Sequence, residues 1–318
     1  MHLDSCRELK RSLRERATSL AVGTQVPWLA VGVERTAPHT YVLAVRVRDT
    51  ASARPLLARI ASEARDEVDI VEVGEIRALS AALSPEDLSP EELQKSQRPL
   101  VPGSSVGHPS VTAGTLGAFV DVGGAVHALS NNHVLGDSGR ARLGDAALQP
   151  GVVDGGTDPQ DRFGELAAMS ELSTDRINLV DAAIARLDPG VGHDAERYPG
   201  GPITATAEGP TEDAAVEKLG RTTGHTHGRI TAFEVDGLRV NFPHGELVFD
   251  DQLEISGREG AFSDGGDSGS LIWTREGRAA VGLLFAGSRF GGPDGTGLTY
   301  ANPLTAVLDV FNARLVGA

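Results

Sequence analysis

The sequence predicts a mainly β protein that carries a small α/β module at its N-terminus. Short apolar segments separated by turn residues recur along the 318 residues, and 39 glycines and 17 prolines supply the many turns that such a fold needs. The first 96 residues differ, because alternating segments there are mixed with helical periodicity. We therefore predict three parts: an α/β domain over 1–96, a linker over 97–112 and a β domain over 113–318.

The N-terminal part has a predicted β-β-α-β order that follows a first, charged helix. Strands are predicted where apolar and polar residues alternate, and helices where apolar residues recur at helical spacing. The predicted elements are a helix over 6–19, strands over 28–34 and 41–47, a helix over 53–68 and a strand over 68–76. Two Ser-Pro pairs, at 84–85 and 89–90, each predict a helix N-cap.

The role of this module stays open at the level of sequence. It has the size of a folding pro-segment, of an inhibitory lid, or of an adaptor that binds a protein partner. The remaining alternative is an extra layer that only packs on the β domain. No repeat or low-complexity tract favours one of these roles.

The β domain opens with a predicted hairpin over 115–129, which turns at Gly123-Gly124 and leads to His133. A second hairpin is predicted over 270–284, and a C-terminal helix over 302–315. The two hairpins bracket the segments that carry the candidate chemistry.

The most informative segment is GGDSGS over 265–270, which places Ser268 between glycines. A serine hydroxyl attacks a carbonyl only when a base removes its proton and donors stabilise the oxyanion. The flanking glycines allow the N–H groups of Gly266 and Ser268 to point at one oxyanion. The alternative is an ordinary turn, since Gly, Asp and Ser are also turn formers.

Two upstream residues supply the partners that a serine nucleophile needs. His133 follows an apolar strand, and Asp181 stands inside an otherwise apolar run, where a carboxylate is costly unless it is paired. Singly, His133 has the alternative of a turn histidine and Asp181 that of a helix cap. Their order, His, Asp, Ser, and their spacings of 48 and 87 residues agree with one known catalytic arrangement, and this agreement favours a joint role.

Residues 114–310 resemble the chymotrypsin-fold (trypsin-like) serine peptidases, particularly the bacterial branch that includes α-lytic protease. Four segments carry the resemblance, in the family's order: SNNHV at 130–134, DAAI at 181–184, GRTTG at 220–224 and GDSGS at 266–270. The resemblance implies a double antiparallel β-barrel and a serine endopeptidase that acts on proteins or peptides without a cofactor. It implies His133 as base, Asp181 as its orienting carboxylate and Ser268 as nucleophile, with an oxyanion hole formed by the amides of Gly266 and Ser268.

The resemblance also implies a support for the nucleophile and a substrate pocket. Lys218 is expected to pair with Asp267 in place of a cleaved N-terminus, with a solvated strand lysine as the alternative. Phe262 and Ser263 are expected at the base of the pocket. Its wall is expected over 285–287, which comprises Phe285, Ala286 and Gly287. An apolar, narrowed pocket favours a small or apolar residue before the cleaved bond.

The departures from the family concern cysteine. Val134 replaces the family's cysteine after the histidine, and Glu217 and His227 stand where the family closes the GRTTG hairpin with a disulfide. The only cysteine is Cys6, which suits a reducing compartment, and the first residues lack the apolar core of a secretory signal. We therefore expect a cytoplasmic protein.

Further partners are constrained by charge and by ligand spacing. A net charge of −15 argues against binding nucleic acid through its phosphates, and no apolar run is long enough to span a membrane. We expect no metal: His225 and His227 lack a completing ligand in the nearby sequence, and the acidic turn with Asp154, Asp158 and Asp161 is interpreted as solvated.

Three functions compete. The leading one is an active serine endopeptidase. The second is a catalytically silent relative that acts as a scaffold or binding module, although all three catalytic residue types are present. The third is an acyl hydrolase that prefers esters, because the same machinery accepts either leaving atom. An α/β-hydrolase is disfavoured, since its order of catalytic residues is Ser, Asp, His.

Overall fold

The structure is a computed structural model that describes residues 1–20, 29–78, 89–207 and 214–317. Its helices are α1 (Leu3–Leu20), α2 (Thr50–Glu63), α3 (Pro90–Leu93), α4 (Asn132–Leu135) and α5 (Leu304–Phe311). Its strands are β1 (Leu29–Ala37), β2 (Thr40–Val47), β3 (Val68–Glu72), β4 (Ile76–Ala78), β5 (Ser105–Val106), β6 (Gly114–Thr115), β7 (Ala118–Val122), β8 (Ala125–Ser130), β9 (Ala146–Leu148), β10 (Arg162–Met169), β11 (Ala183–Leu187), β12 (Ala205–Thr206), β13 (Ala215–Gly220), β14 (Gly224–Asp236), β15 (Leu238–Phe242), β16 (Gly245–Phe249), β17 (Gln252–Gly257), β18 (Leu271–Thr274), β19 (Ala279–Ser288), β20 (Thr299–Pro303) and β21 (Arg314–Leu315).

The first barrel is a six-stranded antiparallel sheet in the order β21-β7-β8-β11-β10-β9. Buried side chains from its strands, such as Phe119, Phe163 and Leu166, pack together in one apolar cluster. The alternation of apolar and polar residues that predicts these strands fits this one-sided burial. The predicted hairpin over 115–129 corresponds to β7 and β8.

The second barrel closes as a ring of six antiparallel strands. The strand β13 pairs with β14, β14 with β17, β17 with β20, β20 with β19, β19 with β18, and β18 with β13. Trp273 and Ile272 on β18 are completely buried. Two closed antiparallel barrels give the mainly β fold class that the sequence predicts. The predicted hairpin over 270–284 corresponds to β18 and the first half of β19.

The β-β-α-β order of the N-terminal module is confirmed by β1, β2, α2 and β3, but the module is not a separate body. The strand β1 pairs with β14, with Val31 opposite Asp236 and Val33 opposite Phe233, so the sheet of the second barrel continues into the module. Across this junction, Arg46 on β2 donates to Glu254 on β17 through two hydrogen bonds of 2.8 and 2.9 Å.

The single strand predicted over 68–76 is wrong. The strand β3 ends at Glu72, and the chain turns at Gly74, whose φ of +64° favours glycine. The following strand β4 leaves the module and enters the sheet of the second barrel between β15 and β19. Alternation alone did not reveal the break, because Val73 is again buried.

Other predictions are refined. The helix N-cap at Ser89 is confirmed, since its Oγ accepts from Glu92 N at 3.3 Å, whereas the Ser-Pro pair at 84–85 and residue 28 lie outside the described residues. Residues 100–108, inside the suggested linker 97–112, are all buried, and β5 pairs with β6. The C-terminal helix is shorter than 302–315 because Asn312, with φ of 48°, ends it. In the part of the chain that is described, no helix is long and apolar enough to cross a membrane.

The junction around Arg46 predicts a pH dependence of stability. Burial, with the neighbouring Asp69 as the next cause, raises the pKa of Glu34 from 4.5 to about 7, although the charge of Arg46, 3.6 Å from the Glu34 carboxylate, acts in the opposite direction. Between those two pH values the folded chain holds a proton that the unfolded chain has lost. The free energy of unfolding should therefore fall as the pH rises from about 5 to about 8.

Glu34→Gln should flatten this decline, since glutamine cannot titrate. Urea unfolding at several pH values measures it, with the exposed Glu246→Gln as the matched control. An equal decline in wild type and Glu34→Gln would contradict the prediction.

Candidate active site

His133 and Asp181 are brought together by the pairing of β8 with β11. The strand β8 ends at Ser130 and runs into α4, which holds His133, while Asp181 stands two residues before β11. Ser130 lies opposite Ala183 in the register, so the two chain ends carrying His133 and Asp181 are adjacent.

Asp181 accepts one hydrogen bond from the imidazole of His133 and one from its backbone N–H. Its Oδ2 lies 2.5 Å from His133 Nδ1, and its Oδ1 accepts from the backbone N–H of His133 at 3.1 Å. The Asp181 side chain is completely buried, and its backbone N–H donates to Asn302 Oδ1 at 3.0 Å. An ionised carboxylate only accepts hydrogen bonds, so Nδ1 carries a proton, and in the neutral form of this ring it is Nε2 that presents the lone pair.

The Nε2 atom of His133 is buried and has no hydrogen-bond partner among the described residues. The ring is packed edge-on against Phe242 at the end of β15, with centroids 5.8 Å apart. An unpartnered buried polar atom is costly in a folded protein and calls for an explanation. A lone pair kept for a proton from the nucleophile is such an explanation.

Ser268 lies in the loop between β17 and β18, which is tied to the strand that leads to His133. The Ser268 carbonyl accepts from Thr115 N at 2.7 Å, and the Thr115 carbonyl accepts from Ser130 Oγ at 2.7 Å. The Ser268 hydroxyl donates to the Phe285 carbonyl at 3.4 Å and is completely buried. Thr115 therefore fixes the loop of Ser268 to the end of β8, just before His133.

The loop before Ser268 depends on Gly266. Its φ is +96°, and a Cβ here would clash with Thr222 Oγ1. The Gly265 carbonyl accepts from Thr222 Oγ1 at 2.7 Å, so the N–H of Gly266, on the same trans peptide, points the opposite way. The Asp267 carbonyl accepts likewise from Ser270 Oγ at 2.6 Å, which turns the N–H of Ser268 away from Ser270.

Asp267 is enclosed by donors from the GRTTG hairpin. Its oxygens accept from the backbone N–H groups of Thr222 and Thr223 at 2.9 and 3.1 Å, from Thr223 Oγ1 at 2.6 Å and from Asp264 N at 3.0 Å. Lys218 Nζ lies 3.2 Å from Asp267 Oδ2, and both side chains are completely buried. Lys218 is therefore not a solvated strand residue.

Burial lowers the pKa of Lys218, and the charge of Asp267 opposes that shift. Asp267 directly precedes Ser268, so this buried pair holds the loop that carries Ser268.

Sequence reasoning missed a second buried ion pair on the same hairpin. Arg221 donates to Asp154 through Nε at 3.0 Å and through Nη2, and Ser105 Oγ donates to the same carboxylate at 2.5 Å. The side chains of Arg221 and Asp154 are 1% and 7% exposed. The interpretation of Asp154 as part of a solvated turn is wrong, because the loop over 151–162 folds back onto the hairpin.

The residues expected at the substrate pocket are brought near one another but are mostly buried. Phe262 is 2% exposed, and Ser263 Oγ lies 2.6 Å from Thr299 Oγ1. Phe285 is completely buried, with its ring 4.8 Å from that of Phe249. The expected wall, 285–287, lies on β19.

The edge of that wall is covered by β4, which the sequence did not predict. The antiparallel register places Arg77 opposite Gly287 and Ala78 opposite Ala286. On its other side, Arg77 pairs in parallel with Asn241 on β15, the strand whose Phe242 contacts the ring of His133. A short segment of the chain's own N-terminal region thus lies between the strand beside the serine and the strand beside the histidine.

Comparison with known proteins places this architecture. No protein-family model matches the chain, and neither does any curated protein. Among solved structures, a glutamic-acid-specific serine protease, described as using a histidine triad in substrate binding, matches with a TM-score of 0.50 and 18% identity over 68% of this chain and 100% of its own. Thermobifida fusca protease A matches with a TM-score of 0.49 and 20% identity, over 69% of this chain and 99% of its own.

An α-lytic protease homologue, N4, matches with a TM-score of 0.48 and 22% identity, over 67% of this chain and 97% of its own. The glutamic-acid-specific protease, at a TM-score of 0.50 and 18% identity, is similar to this chain in fold alone. Together with the six-stranded first barrel and the closed ring of the second, this likeness shows that the chain has the chymotrypsin-like double-barrel fold that the sequence resemblance implies.

Proposed function

We propose that this protein is a serine endopeptidase that hydrolyses peptide bonds through His133, Asp181 and Ser268. The observation that carries the proposal is the pair of hydrogen bonds that Asp181 accepts from His133. They orient the ring so that its buried Nε2 is left without a hydrogen-bond partner among the described residues. This is the tautomer and orientation that a general base for a serine needs.

In the proposed reaction, the Ser268 hydroxyl turns from the Phe285 carbonyl toward Nε2 of His133, which takes its proton as Oγ attacks the substrate carbonyl. Asp181 stabilises the imidazolium that forms. The N–H groups of Gly266 and Ser268 receive the oxyanion, a contribution of about 3–4 kcal/mol for each donor in comparable sites. His133 then returns the proton to the leaving amine, and water releases the acyl group by the same route.

The competing scaffold function has less support. A binding module has no need for a buried, unpartnered imidazole nitrogen, which costs stability unless chemistry retains it. An acyl hydrolase that prefers esters would use the same catalytic groups, so the test below compares ester substrates with amide substrates.

The substrate and setting follow from the same residues. We propose protein or peptide substrates with a small or apolar residue before the cleaved bond, because the sequence resemblance places the apolar pocket wall at 285–287 and the Ser268 hydroxyl lies 3.4 Å from the Phe285 carbonyl. A reducing, cytoplasmic setting is consistent with a single, buried cysteine, whose pKa burial raises to about 11. Nucleic acid is not proposed as a partner of a chain with net charge −15.

We propose further that β4 acts as an inhibitory segment. Main-chain pairing with a strand edge is how a protease groove holds an extended peptide, and β4 takes that place on β19 at Ala286 and Gly287. Ile76 also packs in the apolar cluster that contains Phe285 and Phe242. With β4 in place, the side chains of Ser268 and His133 are 0% and 9% exposed, so a substrate has to displace it.

Arg77→Pro should raise the rate of hydrolysis of a short peptide substrate. Proline has no N–H, and Arg77 lies between two strands, so the substitution removes a ladder hydrogen bond. Losing one such bond, about 1 kcal/mol, corresponds to a gain of roughly fivefold. Arg77→Thr keeps the N–H and is the control. Equal rates in wild type, Arg77→Pro and Arg77→Thr, with folding intact, would exclude the inhibitory role.

The function is tested by digesting a mixed peptide library and reading the cleaved bonds by mass spectrometry. Arg77→Pro is expected to cut the library, and Arg77→Pro/Ser268→Ala is expected not to. Ester and amide substrates with the same acyl group are compared in parallel. Hydrolysis of esters only would favour the acyl hydrolase, and cutting that survives Ser268→Ala would overturn the proposal.

A further inference from the structure

Three metal-ligating side chains meet on the outer face of the β13–β14 hairpin. His225 and His227 alternate along β14, so both point to one face of the sheet, and Glu217 on β13 lies directly opposite His227. One ligand atom from each of the three lies within 4.8 Å of the others. The nearby sequence gave no completing ligand because the carboxylate comes from the preceding strand.

We propose that Glu217, His225 and His227 bind a divalent transition metal ion of the Zn²⁺ type, a site that goes beyond the proposed hydrolysis. Two imidazoles and a carboxylate form a ligand set that Zn²⁺ accepts, with a fourth position left for water. Bonds of about 2.1 Å in a tetrahedron place neighbouring donor atoms about 3.4 Å apart. Glu217 oxygens already lie 3.2 Å from Nε2 of His225 and 3.6 Å from Nε2 of His227.

The surroundings of the three ligands favour binding. The Glu217 side chain is only 9% exposed, and Trp273 Nε1 donates to its Oε2 at 3.3 Å, which orients the carboxylate. The ring of His225 is parallel to that of Trp273, with centroids 6.0 Å apart. His227 is 41% exposed, so the open side faces solvent.

One cation competes for the same carboxylate. Arg275 Nε lies 3.6 Å from Glu217 Oε1, but the Arg275 side chain is 60% exposed. It is therefore able to turn into solvent when a metal ion binds.

The ion would join two strands that support the proposed active site. The resembling peptidases carry a disulfide at the positions of Glu217 and His227, and this chain has only Cys6. Lys218, the next residue of β13, points to the opposite face and pairs with Asp267. A metal bridge on the outer face would stabilise the hairpin that encloses the aspartate beside the nucleophile.

The test is a titration of the metal-free full chain with Co²⁺, followed by competition with Zn²⁺. We expect one Co²⁺ per chain, with the visible absorption of a four-coordinate site that Zn²⁺ abolishes. His227→Gln and Glu217→Gln should each weaken binding at least tenfold, and Zn²⁺ should raise the melting temperature of wild type but not of these variants. The exposed His2→Gln is the matched control and should bind as wild type does.

His133→Gln tests whether the ion binds instead at His133 and Asp181, where Nε2 of His133 has no hydrogen-bond partner among the described residues. Retained Co²⁺ binding in His133→Gln supports the hairpin site. Binding that survives in His227→Gln and disappears in His133→Gln would overturn the proposal, and so would the absence of stoichiometric binding to wild type. Far-UV circular dichroism checks that each variant is folded. Among the three ligands, His227 is the most exposed, so its substitution should disturb the fold least.

Discussion

Asp181→Asn is expected to lower kcat by about 10⁴-fold while the chain stays folded. The carboxylate accepts from both His133 Nδ1 and the backbone N–H of His133. An asparagine amide that keeps the backbone contact presents its NH₂ group to the ring and favours the tautomer with the proton on Nε2. That ring has no lone pair for the Ser268 proton, so the loss should fall on kcat far more than on KM.

The measurement is peptide hydrolysis in the Arg77→Pro background, where the groove is expected to be open. Asp309→Asn, an exposed aspartate on α5, is the matched control and should keep full activity. A folded Asp181→Asn variant whose kcat lies within tenfold of that of its parent would contradict the role given to Asp181.

Lys218→Met is expected to destabilise the fold by about 3–5 kcal/mol, because it leaves the completely buried Asp267 without its cation. Methionine keeps most of the apolar stem, so the loss reports the missing charge and hydrogen bonds rather than a cavity. Activity should fall as well, since Asp267 directly precedes Ser268. Urea unfolding and the hydrolysis rate measure the two effects.

The double variant Lys218→Met/Asp267→Asn tests the coupling between the two residues. Removing both charges should recover part of the stability that Lys218→Met loses, because no uncompensated buried charge is left. Lys95→Met, at a lysine that is 61% exposed, is the control and should change the free energy of unfolding little. A folded Lys218→Met with full activity and wild-type stability would show that the pair does not support the nucleophile.

The sequence predicted those parts of the fold that rest on local pattern. Alternation predicts the hairpins, and the resemblance implies the two barrels. The pairing of β8 with β11 places His133 beside Asp181, as the resemblance also implies. The glycine-rich segment predicts a tight turn directly before Ser268, and the positive φ of Gly266 explains why glycine stands there.

The features that sequence reasoning missed are contacts between distant segments. Asn302 meets Asp181 across 121 residues, and Arg221 meets Asp154 across 67. The local sequence around either partner does not indicate such contacts. A polar residue in a loop is predicted to be solvated when the residues that pack on it are far away in the sequence.

The N-terminal region shows the same limit. Alternation through Val73 hides the turn at Gly74, so the strand predicted over 68–76 runs on to Ile76, the first residue of β4. Glu217 is likewise missing from the metal ligands that the sequence suggests with His225 and His227, although the hairpin register sets it opposite His227. Register across strands, not composition, decides both cases.

The most direct test of the account is the rate at which a fluorophosphonate labels Ser268 in the full chain and in Arg77→Pro, with the labelled residue identified by mass spectrometry. The account predicts slow labelling in wild type, faster labelling in Arg77→Pro, and none in Arg77→Pro/Ser268→Ala. Folded Arg77→Pro that leaves Ser268 unlabelled would contradict the central claim that His133 and Asp181 activate this serine.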